Sequence, residues 1–168
     1  PVFSDVGEND AAKEYISKLA EKKIIEGYGN GKFGYYDTIT REQFITLLWR
    51  ADELKKSEAE AGITDIAAGA YYEEAVKWAY ENGIAKIYSD KSFGVGKAVD
   101  REHAAYFMYN WAKATGKCKA NTGALLDDYA DATEISKDSV TAVAWAVSEG
   151  IIFDADEKNL SPKLFDNS

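Results

Sequence analysis

Residues 27–44 read Gly-Tyr-Gly-Asn-Gly-Lys-Phe-Gly-Tyr-Tyr-Asp-Thr-Ile-Thr-Arg-Glu-Gln-Phe, and this stretch sets the architecture of the chain. Its glycines end one segment and turn the backbone. Thr40 is a good helix N-cap, and Gln43 three residues later completes a capping box. Apolar residues recur at helical spacing before the turn, over residues 11–23, and after it, over residues 40–54. The pattern predicts helix, loop, helix and an all-α fold.

The same unit recurs along the chain. A shift of 60 positions places Arg41-Glu42 on Arg101-Glu102, in a chain with only three arginines. Helical periodicity alone does not explain that match. A shift of 67 positions places Trp78 on Trp145 and begins a third copy. We therefore predict three repeats in one compact domain, at residues 1–56, 62–116 and 125–168, the third of them incomplete.

Composition excludes several classes of function. The net charge of -9 argues against binding duplex nucleic acid or an anionic membrane surface. A single cysteine, Cys118, allows no intrachain disulfide, and a single histidine, His103, argues against a usual zinc site. The sequence has no apolar run long enough to span a membrane, and its first residues do not resemble a signal peptide.

Catalytic and metal-binding motifs are also weak. With one cysteine and one histidine, the chain shows no nucleophile–base pairing, and the adjacent pair Asp127-Asp128 does not supply two carboxylates that face each other across a bond. Residues 154–158 begin like a calcium loop but lack its glycine and its closing glutamate. We expect no enzyme activity, no metal and no cofactor.

Three segments together carry a family resemblance. Residues 3–6 (Phe-Ser-Asp-Val), 27–33 (Gly-Tyr-Gly-Asn-Gly-Lys-Phe) and 39–42 (Ile-Thr-Arg-Glu) resemble the signature of the S-layer homology domain. The resemblance implies a pseudo-threefold, three-pronged domain in which the second helices form a central bundle. It also implies non-covalent binding of secondary cell-wall polysaccharide, often pyruvylated and attached to peptidoglycan, in grooves between repeats. Such a module anchors proteins outside the cell, at the bacterial cell wall or S-layer.

A candidate glycan-binding set follows from this resemblance and from the chemistry of a sugar carboxylate. Arginine can hold a carboxylate through two parallel hydrogen bonds, and the start of a helix also favours an anion. Arg41 and Arg101 both lie just after a predicted N-cap. The complete candidate set is Arg41, Arg101, Asp5, Asp65, Gly29, Gly31, Glu42, Glu102, Trp78 and Trp145.

Each of these residue types has a structural alternative. The arginines could hold the fold by pairing with Asp5 or Asp65, and these aspartates could cap a helix instead of binding sugar hydroxyls. Trp78 and Trp145 could be core residues, and the glycines could serve only a turn. His103 is expected to be a surface or capping residue. These alternatives stay open at the level of sequence.

Two further expectations concern the weaker repeats. Ser168 falls on the position of Arg101. The second helix of repeat three is therefore expected either to lie beyond Ser168 or to be replaced by another segment. The replacement would be residues 120–126 or another protomer, the latter through self-association. The loops at residues 87–91 and 154–158 lack the glycines of repeat one. A structural or protein–protein module that no longer binds glycan is therefore the alternative function.

Overall fold

The computed structural model describes residues 3–58, 62–118, 126–152 and 158–163. Within these ranges the fold is all-α, as predicted, and no β-strand is present. The chain forms five α-helices and one turn of 3-10 helix at Ala132–Glu134. The α-helices are α1 (Lys13–Glu21), α2 (Arg41–Ala51), α3 (Glu73–Glu81), α4 (Arg101–Ala114) and α5 (Val140–Ser148).

The second helix of each of the first two repeats begins at the predicted cap. The Thr40 hydroxyl accepts the Gln43 N–H, and the Gln43 side chain accepts the Thr40 N–H, which confirms the capping box. Asp100 caps α4 by accepting the His103 N–H at 2.8 Å. α2 ends earlier than predicted because Glu53 and Leu54 adopt left-handed backbone conformations, which do not continue an α-helix.

Each second helix packs on the first helix of the following repeat. α2 packs on α3, and α4 packs on α5. Trp78 and Trp145 lie in two separate hydrophobic clusters that these contacts form, and they are 2% and 7% exposed. α2 also meets α4, with the rings of Phe44 and Phe107 6.0 Å apart. Between-repeat packing therefore fixes how one repeat faces the next.

The first helix of repeat one differs from its counterparts. Tyr15 and Leu19 of α1 are exposed, whereas the corresponding Ala75 and Ala79 of α3 are fully buried against α2. Residues 164–168, where the second helix of repeat three is predicted to start, and residues 120–125 lie outside the described residues. The pseudo-threefold arrangement, the replacement helix and self-association thus remain predictions.

Candidate glycan-binding grooves

In each repeat, one aspartate holds the loop of the same repeat by accepting hydrogen bonds from its backbone N–H groups, an arrangement here called the aspartate clasp. The Asp5 carboxylate accepts the N–H groups of Phe33, Gly34 and Tyr35 at 2.8, 2.7 and 3.1 Å. Asp65 does the same 60 positions later, accepting Phe93, Gly94 and Val95 at 2.7, 2.8 and 2.9 Å. Asp131 accepts Leu160 and Ser161 at 2.9 and 2.7 Å, and the next residue, Pro162, has no N–H to donate. The aspartates hold the loops and do not cap the first helices.

These hydrogen bonds favour the ionised carboxylates. The Phe33 N–H, supported by Gly34 and Tyr35, lowers the pKa of Asp5 to about 2. For Asp65, burial raises the pKa, but the three backbone N–H groups outweigh it and the pKa is lowered. The Asp5 and Asp65 carboxylates are therefore charged at neutral pH.

The two arginines that recur between repeats each reach into the loop of the next repeat. Arg41 Nε donates to the Phe93 carbonyl at 2.9 Å, and Arg101 Nε donates to the Leu160 carbonyl at 2.7 Å. Arg41 is 7% exposed, and its guanidinium lies about 5 Å from the ring centroids of Tyr88, Phe93 and Phe107. Burial lowers the pKa of this guanidinium from its usual high value. Neither arginine forms an ion pair with Asp5 or Asp65 among the described contacts.

The glutamates that follow these arginines are also buried. Glu42 Oε2 accepts the Gly96 N–H at 2.9 Å, and Glu102 Oε2 accepts the Ser136 N–H at 2.9 Å. The other oxygen of Glu102 pairs with Lys163. Both carboxylates thus fasten a second helix to the repeat that follows it, and these contacts occupy oxygens that a sugar would need.

A groove of about 400 Å³, here named the second groove, lies between repeats two and three. Arg41 reaches it from repeat one, and Lys86, His103 and Lys137 bring further nitrogen groups to its wall. Asp138 is the one carboxylate among its described lining residues, 3.7 Å from Lys86 Nζ. The groove therefore concentrates positive charge on a chain that is acidic as a whole.

His103 occupies a defined place at the edge of this groove. Its backbone N–H donates to Asp100, the N-cap of α4, in keeping with the expected role in capping, and its Nδ1 lies 2.6 Å from Asp100 Oδ1. Asp100, Glu102 and His103 have ligand atoms within 4.8 Å of one another. Lys163 and the His103 contacts already engage these carboxylates, so we assign no metal to them.

A larger depression of about 610 Å³, here named the first groove, lies between the loop of repeat one, α2 and Tyr71 of repeat two. Tyr28 donates its hydroxyl to Asp37 Oδ2 at 2.8 Å. Arg50 pairs with Glu26 at 2.9 Å and so does not offer an unpaired charge. The wall of the first groove therefore contains several aromatic rings and two carboxylates.

The structure separates the glycines by role. Gly29 and Gly31 have left-handed φ angles, but a Cβ added at either position would meet open space, and neither glycine lines a described groove. Gly27, by contrast, is tightly packed, because a Cβ there would lie 2.5 Å from the Lys32 carbonyl oxygen and 2.7 Å from the Phe3 ring. Gly27 therefore fixes how the loop of repeat one sits on the core.

Of the ten candidates, only Arg41 is among the described lining residues of the second groove. Trp78 and Trp145 lie in the core, and the aspartates and glutamates hold backbone N–H groups. Sequence reasoning missed Lys86 and Lys137. The signal that could have found Lys86 is a charge difference at equivalent positions, since Lys86 replaces Glu26 of repeat one.

Comparison with known proteins agrees with the repeat structure. The family model described as S-layer homology domain matches residues 2–45 and 62–105, more than half of the chain. The chain belongs to the S-layer homology domain family, whose members are cell-surface anchoring modules. Residues 125–168, which are assigned above to a third repeat, lie outside this match.

Relatives include both surface-layer proteins and glycosidases. The chain is 29% identical over 154 residues to the Surface-layer 125 kDa protein of Lysinibacillus sphaericus, covering 90% of this chain and 12% of that protein. It is 27% identical over 162 residues to the amylopullulanase of Thermoanaerobacterium thermosulfurigenes, covering 96% and 8%. A surface layer protein of Brevibacillus choshinensis is 37% identical over 89 residues, covering 50% and 8%. The chain therefore spans only about a tenth of the length of these relatives.

In the part of the chain that the structure describes, no helix is long and apolar enough to cross a membrane.

Proposed function

We propose that this module attaches its parent protein to the outside of a bacterial cell by binding an acidic secondary cell-wall polysaccharide in the second groove. The observation that carries the proposal is the gathering of Arg41, Lys86 and Lys137 around one groove of a chain with a net charge of -9. A negatively charged chain repels an acidic polymer at long range. A local cluster of cations is the feature that such a ligand would need.

Arg41 is suited to the central role in this groove. Its bond to the Phe93 carbonyl and its position over three aromatic rings fix the guanidinium before a ligand arrives. A fixed donor loses less side-chain entropy on binding than a free one. Its remaining N–H groups can meet a carboxylate, such as that of a pyruvate ketal, while Lys86 and Lys137 add charge from the two neighbouring repeats.

We expect the protein to bind purified sacculi and to lose that binding when acid strips the attached polysaccharide. Replacing Lys86 and Lys137 together by glutamate should weaken binding at least about tenfold, because hydrogen bonds to charged groups contribute about 1.5–3 kcal/mol each. The matched control is Lys22→Glu with Lys23→Glu, which makes the same charge change at exposed positions at the end of α1.

Two results would contradict the proposal. One is equal binding to intact and stripped sacculi, which would indicate a peptidoglycan or protein partner. The other is equal weakening by the two double variants, which would indicate general charge attraction in place of a defined groove. Absence of binding to either kind of sacculus would favour a structural or protein–protein module.

A further inference from the structure

The two grooves carry opposite charges at equivalent positions. With the 60-position shift, Glu26 of the first groove corresponds to Lys86 of the second. Asp37 of the first groove corresponds to Lys97, which does not line the second groove but contacts the ring of its lining residue Tyr88. The position of Tyr71 departs from this pattern, because the 67-position shift places it on Asp138, a carboxylate of the second groove. The first groove has two carboxylates against one arginine among its described lining residues, whereas the second has three cations against one carboxylate. The same scaffold therefore presents two different surfaces.

A contact that recurs in both loops shows the same reversal. In the first groove the Tyr28 hydroxyl donates to the Asp37 carboxylate at 2.8 Å. At the equivalent place in repeat two, Lys97 Nζ lies 4.2 Å from the centroid of the Tyr88 ring. The tyrosine stays in place while its partner changes from an anion to a cation. The charge difference between the two loops therefore arises from different residues at matching positions.

The first groove also offers aromatic faces. Tyr28 and Tyr71 are 55% and 59% exposed, and they reach the groove from different repeats. Exposed aromatic faces pack against the C–H faces of sugar rings, and carboxylate oxygens accept hydrogen bonds from sugar hydroxyls. Asp37 repels an acidic sugar, because the charge of Arg50 is already balanced by Glu26 and does not offset the charge of Asp37.

We infer that the first groove is a separate carbohydrate site that takes an uncharged sugar unit, with Tyr28 and Tyr71 as the stacking faces and Asp37 as a hydroxyl acceptor. The inference rests on the proposed function, since it assigns the two grooves to different units of one polymer. The second groove binds the acidic unit and the first binds a neutral one.

The test uses two forms of the polysaccharide released from sacculi. One form is native, and in the other the carboxyl groups are reduced to primary alcohols. Calorimetry with the reduced form should still detect binding, and Tyr71→Ala should weaken it about fivefold, as expected for loss of one aromatic face. The matched control is Tyr36→Ala, because Tyr36 is 88% exposed and does not line the groove. The double variant Lys22→Glu with Lys23→Glu, at exposed positions outside both grooves, should bind the reduced form as tightly as the unsubstituted protein does.

The outcomes separate this inference from the proposed function. If the native form binds and depends on Lys86 and Lys137 while the reduced form does not bind, the inference is wrong and the proposed function stands. If the reduced form binds but Tyr71→Ala and Tyr36→Ala are equal, the neutral site lies elsewhere and the inference is again wrong. If the native form does not depend on Lys86 and Lys137, the proposed function fails.

Discussion

Replacing Asp65 by alanine is expected to lower the free energy of unfolding by about 3 kcal/mol, because three backbone N–H groups of the loop in repeat two lose a charged acceptor together. Urea denaturation would measure the effect. The matched control is Asp90→Ala in the same loop, where the carboxylate contacts only the nearby Ser92 among its described hydrogen bonds. Equal midpoints for the two variants would show that the aspartate clasp does not hold the loop.

The clasps also determine how stability changes with pH. A carboxylate whose pKa is lower in the folded state than in the unfolded state stabilises the fold above its unfolded pKa, and this contribution is lost as pH falls through the folded pKa. The ordinary value is 3.8 and the folded value of Asp5 is about 2, so this loss falls between about pH 4 and pH 2. Asp65 shifts in the same direction. Asp65→Ala should therefore lose less stability than the unsubstituted protein as the pH falls below the ordinary value of 3.8.

Replacing Arg41 by alanine should weaken binding of the released acidic polysaccharide by about 10- to 100-fold, the loss expected for a charge-assisted contact. The melting temperature should also fall, because the Phe93 carbonyl loses its donor and three rings lose a cation. Arg101→Ala is the matched control, since Arg101 donates to the equivalent Leu160 carbonyl but does not line the second groove.

Calorimetry and thermal melting measured side by side would separate the two roles of Arg41. Both variants should melt earlier, whereas only Arg41→Ala should lose affinity strongly. Arg41→Lys keeps the charge and should recover part of the affinity without restoring the bond to Phe93. If Arg101→Ala loses as much affinity as Arg41→Ala, the binding effect comes from weakened repeat packing and Arg41 has no direct role.

Local features of the fold could be predicted from the sequence because they depend on neighbouring residues. The capping box of Thr40 and Gln43 and the cap at Asp100 are contacts over three positions, and both were confirmed. The clasp of Asp65 joins positions 28 to 30 apart. Helical periodicity gives no information on such a contact, which is why capping remained an alternative for this residue.

The groove could be predicted only in part. A search for repeats selects positions that stay the same, and it identified Arg41 as a residue at the start of the second helix of repeat one. The structure shows that Arg41 contacts the loop of repeat two, which needs knowledge of how α2 packs on the following repeat. Lys86 and Lys137 differ between repeats, so the same search passed over them. The lysines that add charge to the groove are thus residues that the repeat pattern does not preserve.

The most direct test of the account is nuclear magnetic resonance mapping of the released acidic polysaccharide on isotopically labelled protein. Binding in the second groove should first shift the resonances of Arg41, Lys86, His103 and Lys137, the residues with basic side chains that line this groove. The exposed end of α1 at Lys22 and Lys23 should stay unchanged. Shifts confined to α1, or spread evenly over exposed lysines, would contradict the claim that the second groove binds an acidic glycan.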